Sequence, residues 1–142
     1  MQETALLNMD EQKRFPVILV GRIPSKKNSK QIVFVHGRKL VIPSKEYAAW
    51  HKEQSKALIE TKAYFCRGAQ FPLKEATIEM IITFPDNRRA DLTNKAESVM
   101  DLLVDNGILE DDNHKVCRRV VLESGGVDKL RAGAKITIGY RK

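Results

Sequence analysis

The stretch KEATIEMIITFPDNRRADLTNKAESVMDLLVDNGILEDD, residues 74 to 112, changes its apolar period once, and that change decides the fold. Ala76, Ile78, Met80, Ile82 and Phe84 recur at every second position, which puts them on one face of a β-strand. Pro85 ends that strand, and DNRRA (86 to 90) is a charged loop. From Leu92 to Asp105 the apolar residues recur every three or four positions, the period of a helix, and Asn106-Gly107 supplies its C-terminal stop. Residues 108 to 113 form an acidic turn. Working outward, HKVCRRVVLE (114 to 123) reads as a strand, SGGVDKLRAG as a loop and AKITIGY (134 to 140) as a last strand. Upstream, PVILVGR (16 to 22) reads as a buried strand and IPSKKNSKQ (23 to 31) as a loop. Two short apolar runs, 31 to 36 and 38 to 42, fold back at His36-Gly37 as a hairpin, and Ser44 caps a helix expected to reach about residue 61. The sum is an α+β single domain: a mixed or antiparallel sheet of about five or six strands with two main helices. Residues 1 to 14 read as a mobile arm ahead of a domain spanning 15 to 142.

With 142 residues the chain fits one domain that can bury a core without disulfides, and Cys66 and Cys117 stand too far apart for a CxxC pair. No apolar run is long enough for a membrane span, and MQETALLNMDEQKRF lacks a charged-then-apolar secretory pattern, so a cytoplasmic location is expected. The 25 Lys and Arg exceed the 18 Asp and Glu, giving +7, which suits a polyanionic partner. Between Lys13 and Lys45 there are nine bases and no acid, whereas seven of the 18 acids lie between Asp91 and Asp112 with Lys95 the only base among them. A basic chain that crowds its carboxylates together repels phosphate there unless divalent cations intervene. That polarity points to a metal-dependent nuclease.

On the helix of residues 92 to 105, Leu92, Ala96, Val99, Met100 and Leu103 share one half of the wheel. Asn94, Glu97, Asp101 and Asp105 cluster within roughly 80° on the other. Such a stripe is either a solvated face or half of a metal site, and Asp91 is either an N-cap or a ligand. The second cluster, Glu110-Asp111-Asp112, favours the metal reading, because the strand that follows can return it beside Asp91. Mg²⁺ is typically held by one or two carboxylates plus phosphate oxygens, so few groups suffice. Other metal classes fail on spacing: there is no EF-hand loop, no HExxH, no Cys/His zinc pattern, and no PD-(D/E)xK motif after Asp86.

The order ArgArgAlaAspLeuThrAsn (88 to 94), AspLeuLeu (101 to 103), Asn-Gly-Ile-Leu (106 to 109) and Asp-Asp (111, 112), followed by a Val-rich strand, resembles the RusA family of Holliday-junction resolvases. Pro24-Ser25-Lys26-Lys27-Asn28-Ser29 is similar to that family's P-S-x-N loop, so the resemblance covers about residues 16 to 140. It implies a dimeric endonuclease, dependent on Mg²⁺ with Mn²⁺ a possible substitute, that cuts opposing strands of a four-way DNA junction in recombination and repair. By position, Asp91, Asn94 and Asp112 match the family's catalytic residues. Thr93 stands where the family has a second aspartate, and Glu97 where it has a lysine. The implied metal set is Asp91, Asp111 and Asp112 with Glu97 or Asp101, Glu97 restoring the missing carboxylate one turn along.

Lys26, Lys27 and Lys30 are placed to neutralise phosphates, with Asn28 joining them through the resemblance. Arg88 and Arg89 precede Asp91 and either clamp the phosphate being cut or pair with nearby acids. A four-way junction is approximately two-fold symmetric, so a homodimer is expected as well. The rival function is a non-catalytic module that binds junctions or single-stranded DNA on the same fold, motivated by Thr93 and Glu97. An RNA-binding module lacks the interleaved aromatics, which are only 6% of the chain.

Overall fold

The computed structural model describes residues 12–25 and 30–141. Among the described residues six strands and two helices follow one another as β1 (Lys13–Val20), β2 (Lys30–Val35), β3 (Arg38–Pro43), α1 (Lys45–Phe65), β4 (Ala76–Phe84), α2 (Leu92–Asp105), β5 (Cys117–Val127) and β6 (Gly133–Tyr140). Four strands make one mixed sheet in the order β1-β6-β4-β5, while β2 and β3 form a separate hairpin. The domain is α+β, as expected, and no helix among the described residues is long and apolar enough to cross a membrane.

The period-2 pattern of β4 buries Ala76, Ile78, Met80 and Ile82 on one face, and Phe15, Val17, Leu19, Ile136 and Ile138 join them from β1 and β6. Both helices cover that face. Leu58 and Trp50 come from α1, and Val99, Leu102 and Leu103 from α2, into one continuous core. Phe15 anchors the far edge, stacked on Phe65 with ring centroids 4.9 Å apart and meeting Phe71 edge-on.

The expected elements need four adjustments. β1 starts at Lys13, so Lys13 and Arg14 belong to the sheet, and residues 1–11 of the expected arm lie outside the described residues. That strand is buried on one face only, because both helices lie on the same face of the sheet, and at the sheet edge Pro16 is tolerated without a ladder donor. α1 runs to Phe65, one turn past 61, its start capped by Ser44 Oγ accepting from the Tyr47 amide at 3.1 Å. β5 covers 117–127 rather than 114–123, since pairing with β4 carries it through Ser124 and the two glycines.

The β4-α2-β5 segment is a parallel crossover. α2 therefore starts near the end of β4 and runs back toward its beginning. There Leu73 donates to the Ile108 carbonyl at 2.8 Å, Glu110 donates to that of Leu73 at 2.9 Å, and Cys117 pairs with Ala76. Gly107, at φ 69°, makes the left-handed stop that the sequence called for.

Candidate functional site

The parallel crossover divides the acidic residues. Asp91 is the N-cap residue of α2, yet its side chain caps nothing; its carboxylate accepts from Asn94 Nδ2 at 3.1 Å. Asp111 and Asp112 lie beyond the other end of α2, where the Asp111 carbonyl accepts from Cys117 Sγ at the start of β5. A helix of 14 residues puts roughly 20 Å between its ends. The expectation that the strand after the acidic turn returns Asp112 beside Asp91 is therefore not met. β5 runs parallel to β4, so it starts at the end of the sheet away from Asp91.

At the N-terminal end of α2 the surroundings are cationic. Arg22, Arg88, Ala90 and Lys95 line one crevice with Asp86. Arg88 donates through Nε and Nη2 to the Asp86 carboxylate at 3.1 and 2.9 Å, and Arg22 approaches the same oxygen at 3.4 Å. The open choice for Arg88 thus resolves to an ion pair, one that holds Asp86 below the usual carboxylate range chiefly through the Arg88 hydrogen bonds. Burial pushes the Lys95 ammonium down, and the neighbouring Arg22 adds to it. Arg89 is exposed. The chain just after β1 is tied to α2, where the buried hydroxyl of Ser98 donates to the Pro24 carbonyl at 2.7 Å. Lys26, Lys27 and Asn28 lie outside the described residues, and Lys30 is exposed at the start of β2.

At the C-terminal end the carboxylates crowd one another. The Asp111 carboxylate accepts from the Asp112 amide at 2.7 Å and from Asn113 Nδ2 at 2.9 Å, which hold it below its usual range. Asp112 is pushed the other way, first by burial and then by Asp111 and the charge of Asp101. Burial, and then the charges of Asp112 and Asp111, raise the Cys117 thiol to about 11, which suits an unreactive packing residue. Asp105 is engaged by His51 Nε2 at 2.9 Å, and Glu97 is exposed on the face between the two ends. Trp50 lies in the core.

A groove of about 680 Å³ beside this end was not read from the sequence. Arg67, Lys74 and Arg141 line it, and its one acid, Glu75, is bound by Arg118. The three cations come from the end of α1, the approach to β4 and the chain beyond β6. Leu73 is bridged to Leu109, so this basic groove adjoins the acidic turn. Lys95, the lone base between Asp91 and Asp112, carries no further sequence signal.

The donors on offer are oxygens, which suit Mg²⁺, and the mutual repulsion at Asp112 is of the kind a cation relieves. The fit is to sites of one or two carboxylates. Among the described residues, no group of three or more His, Cys, Asp or Glu is placed to hold a metal ion. Comparison with protein-family models finds none that matches the chain, and comparison with curated proteins finds no significant similarity.

Proposed function

We propose that this protein is a Mg²⁺-dependent, structure-selective DNA endonuclease that resolves four-way junctions in recombination and repair, acting as a homodimer of the RusA type. The observation that supports it most is that each end of one helix carries carboxylates near a cation-lined surface: Asp91 with Asn94, next in sequence to the crevice that Arg22, Arg88, Ala90 and Lys95 line, and Asp111 with Asp112, on the acidic turn that adjoins the groove of Arg67, Lys74 and Arg141. Neither end is a complete site, and one chain holds them apart. Two copies related by a two-fold axis can set the Asp91 end of one against the Asp112 end of the other, forming two identical sites.

In that arrangement Asp91, Asn94, Asp111 and Asp112 would hold the metal, with Glu97 or Asp101 at its margin. When bound, the ion supplies Lewis acidity toward the phosphate and eases deprotonation of water. The chain's own groups do the rest. Lys95 fixes the phosphate by a charge-assisted hydrogen bond, while Arg22 and Arg88, held on Asp86, keep the crevice positive, and Arg67, Lys74 and Arg141 track the flanking backbone without reading sequence.

The test is complementation. Asp91→Asn and Asp112→Asn are each expected to abolish symmetric nicking of a synthetic four-way junction in Mg²⁺ or Mn²⁺. Subunits of the two variants, mixed and exchanged, should regain nicking, because one of the two shared sites in the mixed dimer is then intact. A mixture that stays inactive, from a wild type that cuts, would place each site within one chain.

The second reading, a non-catalytic module binding junctions or single strands, is favoured by the lack of a three-ligand group among the described residues. It requires that the wild type cut no junction over a range of metals, and that Asp112→Asn bind DNA somewhat more tightly.

A further inference from the structure

The four-stranded sheet has two outer edges, β1 and β5. An edge strand presents a row of unpaired backbone amides and carbonyls, which another extended strand pairs in register. Pro16 blunts β1, whereas β5 holds no proline over its 11 residues. Among the described residues only β4 and α2 pack on β5 to any extent, and no backbone hydrogen bond runs outward from residues 118–125. Its side chains are uncovered too. Val120 aligns with Ile78 and so lies on the helix-covered face, yet it is 49% exposed, and Val121, aligned with Glu79 on the opposite face, is 38% exposed.

The strand is complementary to itself. A two-fold axis perpendicular to the sheet pairs two copies of β5 antiparallel and keeps every residue on its own face. Centred on Val121, that pairing sets Arg119 opposite Glu123 of the second copy and Val120 opposite Leu122, and the two Val121 side chains meet on the axis. Moving the centre to Val120 sets Glu123 against Cys117, and moving it to Leu122 sets Glu123 against Val121, so neither matches charge with charge. Arg119 gives Nη1 to Glu79 at 3.1 Å, and its guanidinium carries further donors for the facing Glu123, which is exposed. Arg118 is held by Glu75 and falls opposite Ser124, so no like charges face one another.

We propose that β5 pairs in this register with β5 of a second copy of this chain, joining two four-stranded sheets into one of eight strands. Pairing of β5 with β1 would instead be heterologous and open-ended, and would meet Pro16. The helices fit the same arrangement. α2 packs on both β4 and β5, and with strands about 4.8 Å apart two such helices related by the axis lie about 10 Å apart, the ordinary spacing of packed helices. They run antiparallel. The Asp112 end of one copy thus lies beside the Asp91 end of the other. The pairing deepens the proposed function and rests on that reading for the shared sites it would build, while the contact itself rests on the strand edge.

Light scattering and sedimentation of the full chain are expected to give about 32 kDa, twice the 16.1 kDa chain. Val121→Lys should give monomers with the circular dichroism of the wild type. Glu123→Lys and Arg119→Glu should each weaken self-association about tenfold or more, because each sets like charges opposite one another. An equimolar mixture of those two variants should dimerise as the wild type does, since every facing pair is then complementary. In a Cys66→Ser background, Val121→Cys should form an intermolecular disulfide under mild oxidation, because Cα atoms facing across an antiparallel pair lie roughly 4.5–5.5 Å apart. Glu123→Cys, about 14 Å from its own copy, should not. In the unaltered protein, hydrogen exchange of the 118–124 amides should slow as concentration rises through dimerisation, which keeps the test valid should a variant misfold. A wild-type monomer, a dimeric Val121→Lys, or disulfide formation at position 123 in preference to 121 would overturn the proposal. An edge-paired dimer that cuts no junction leaves the pairing standing and removes the nuclease reading; a junction-cutting dimer whose 118–124 amides exchange as in the monomer does the reverse.

Discussion

At the start of α2 the Asp91 carboxylate accepts from the Asn94 amide, and the crevice lined by Ala90 holds three cations against Asp86, whereas beyond its end Asp112 faces Asp111 and Asp101. In sequence the two ends look alike, since acids recur through both. In space they differ because strands distant in sequence bring different neighbours: Arg22 follows β1 at one end, and Leu73 leads toward β4 at the other. A phosphate is attracted to the first end as it stands and repelled by the second until a cation arrives. One helix therefore carries two half-sites of different charge.

Lys95 puts that difference at greatest risk. Its ammonium loses solvent to burial beside Arg22, so an anion would gain more from it than from a fully solvated lysine. Lys95→Gln is expected to lower junction cleavage about 10- to 100-fold, the range for one charge-assisted hydrogen bond, and to reduce the salt slope of binding by about one. Lys74→Gln in the outer groove should lower the salt slope equally and change cleavage much less. Equal effects on cleavage would erase the distinction between the ends.

How far the sequence reveals this arrangement follows from the range of the signals. β4 and α2 match their expected bounds because alternation and helical period are local, and Asn106-Gly107 stops the helix where the sequence places the stop. The hairpin is equally legible, its His36-Gly37 turn adopting φ 52° and 77° as two-residue hairpin loops require. The length of β5 is not legible. Ser124-Gly125-Gly126 carries the signals of a loop, yet parallel pairing with β4 extends the strand, and a Cβ on Gly125 would collide with Thr83 Oγ1. The parallel direction itself is a tertiary fact, and it separates Asp91 from Asp112. Arg67, Lys74 and Arg141 lie in three distant parts of the chain, and no spacing rule unites them before the fold is known.

Glu97 lies between the two ends and so reports on both. It is exposed, one turn from Asn94 and one from Asp101. Glu97→Gln is expected to raise the Mg²⁺ concentration for half-maximal cleavage several-fold, with full rescue at higher metal and unchanged binding without it. Glu97→Lys separates two roles: increased cleavage would mean that a cation is wanted there, and abolished cleavage that the carboxylate reaches the ion. No change in either variant would return Glu97 to a solvated face.

The smallest effect expected is on stability at Asp112. Burial, and then the neighbouring Asp111 and Asp101, raise its carboxyl above the usual value, so the folded chain tolerates it better protonated than ionised. For a carboxyl shifted upward, the favourable contribution is complete below the unfolded value near pH 4 and is lost as pH rises through the folded value. At neutral pH ionised Asp112 therefore costs stability. Asp112→Asn should raise Tm at pH 7 and leave it unchanged at pH 3. Because the residue is exposed and screened, the rise should be on the order of 1 °C. Mg²⁺ should then stabilise the wild type more than the variant, since a cation relieves a repulsion that the neutral amide of the variant does not feel. A variant less stable at pH 7 without metal would mean that ionised Asp112 already has a favourable partner, and the C-terminal end of α2 would not be the half-site that waits for a cation.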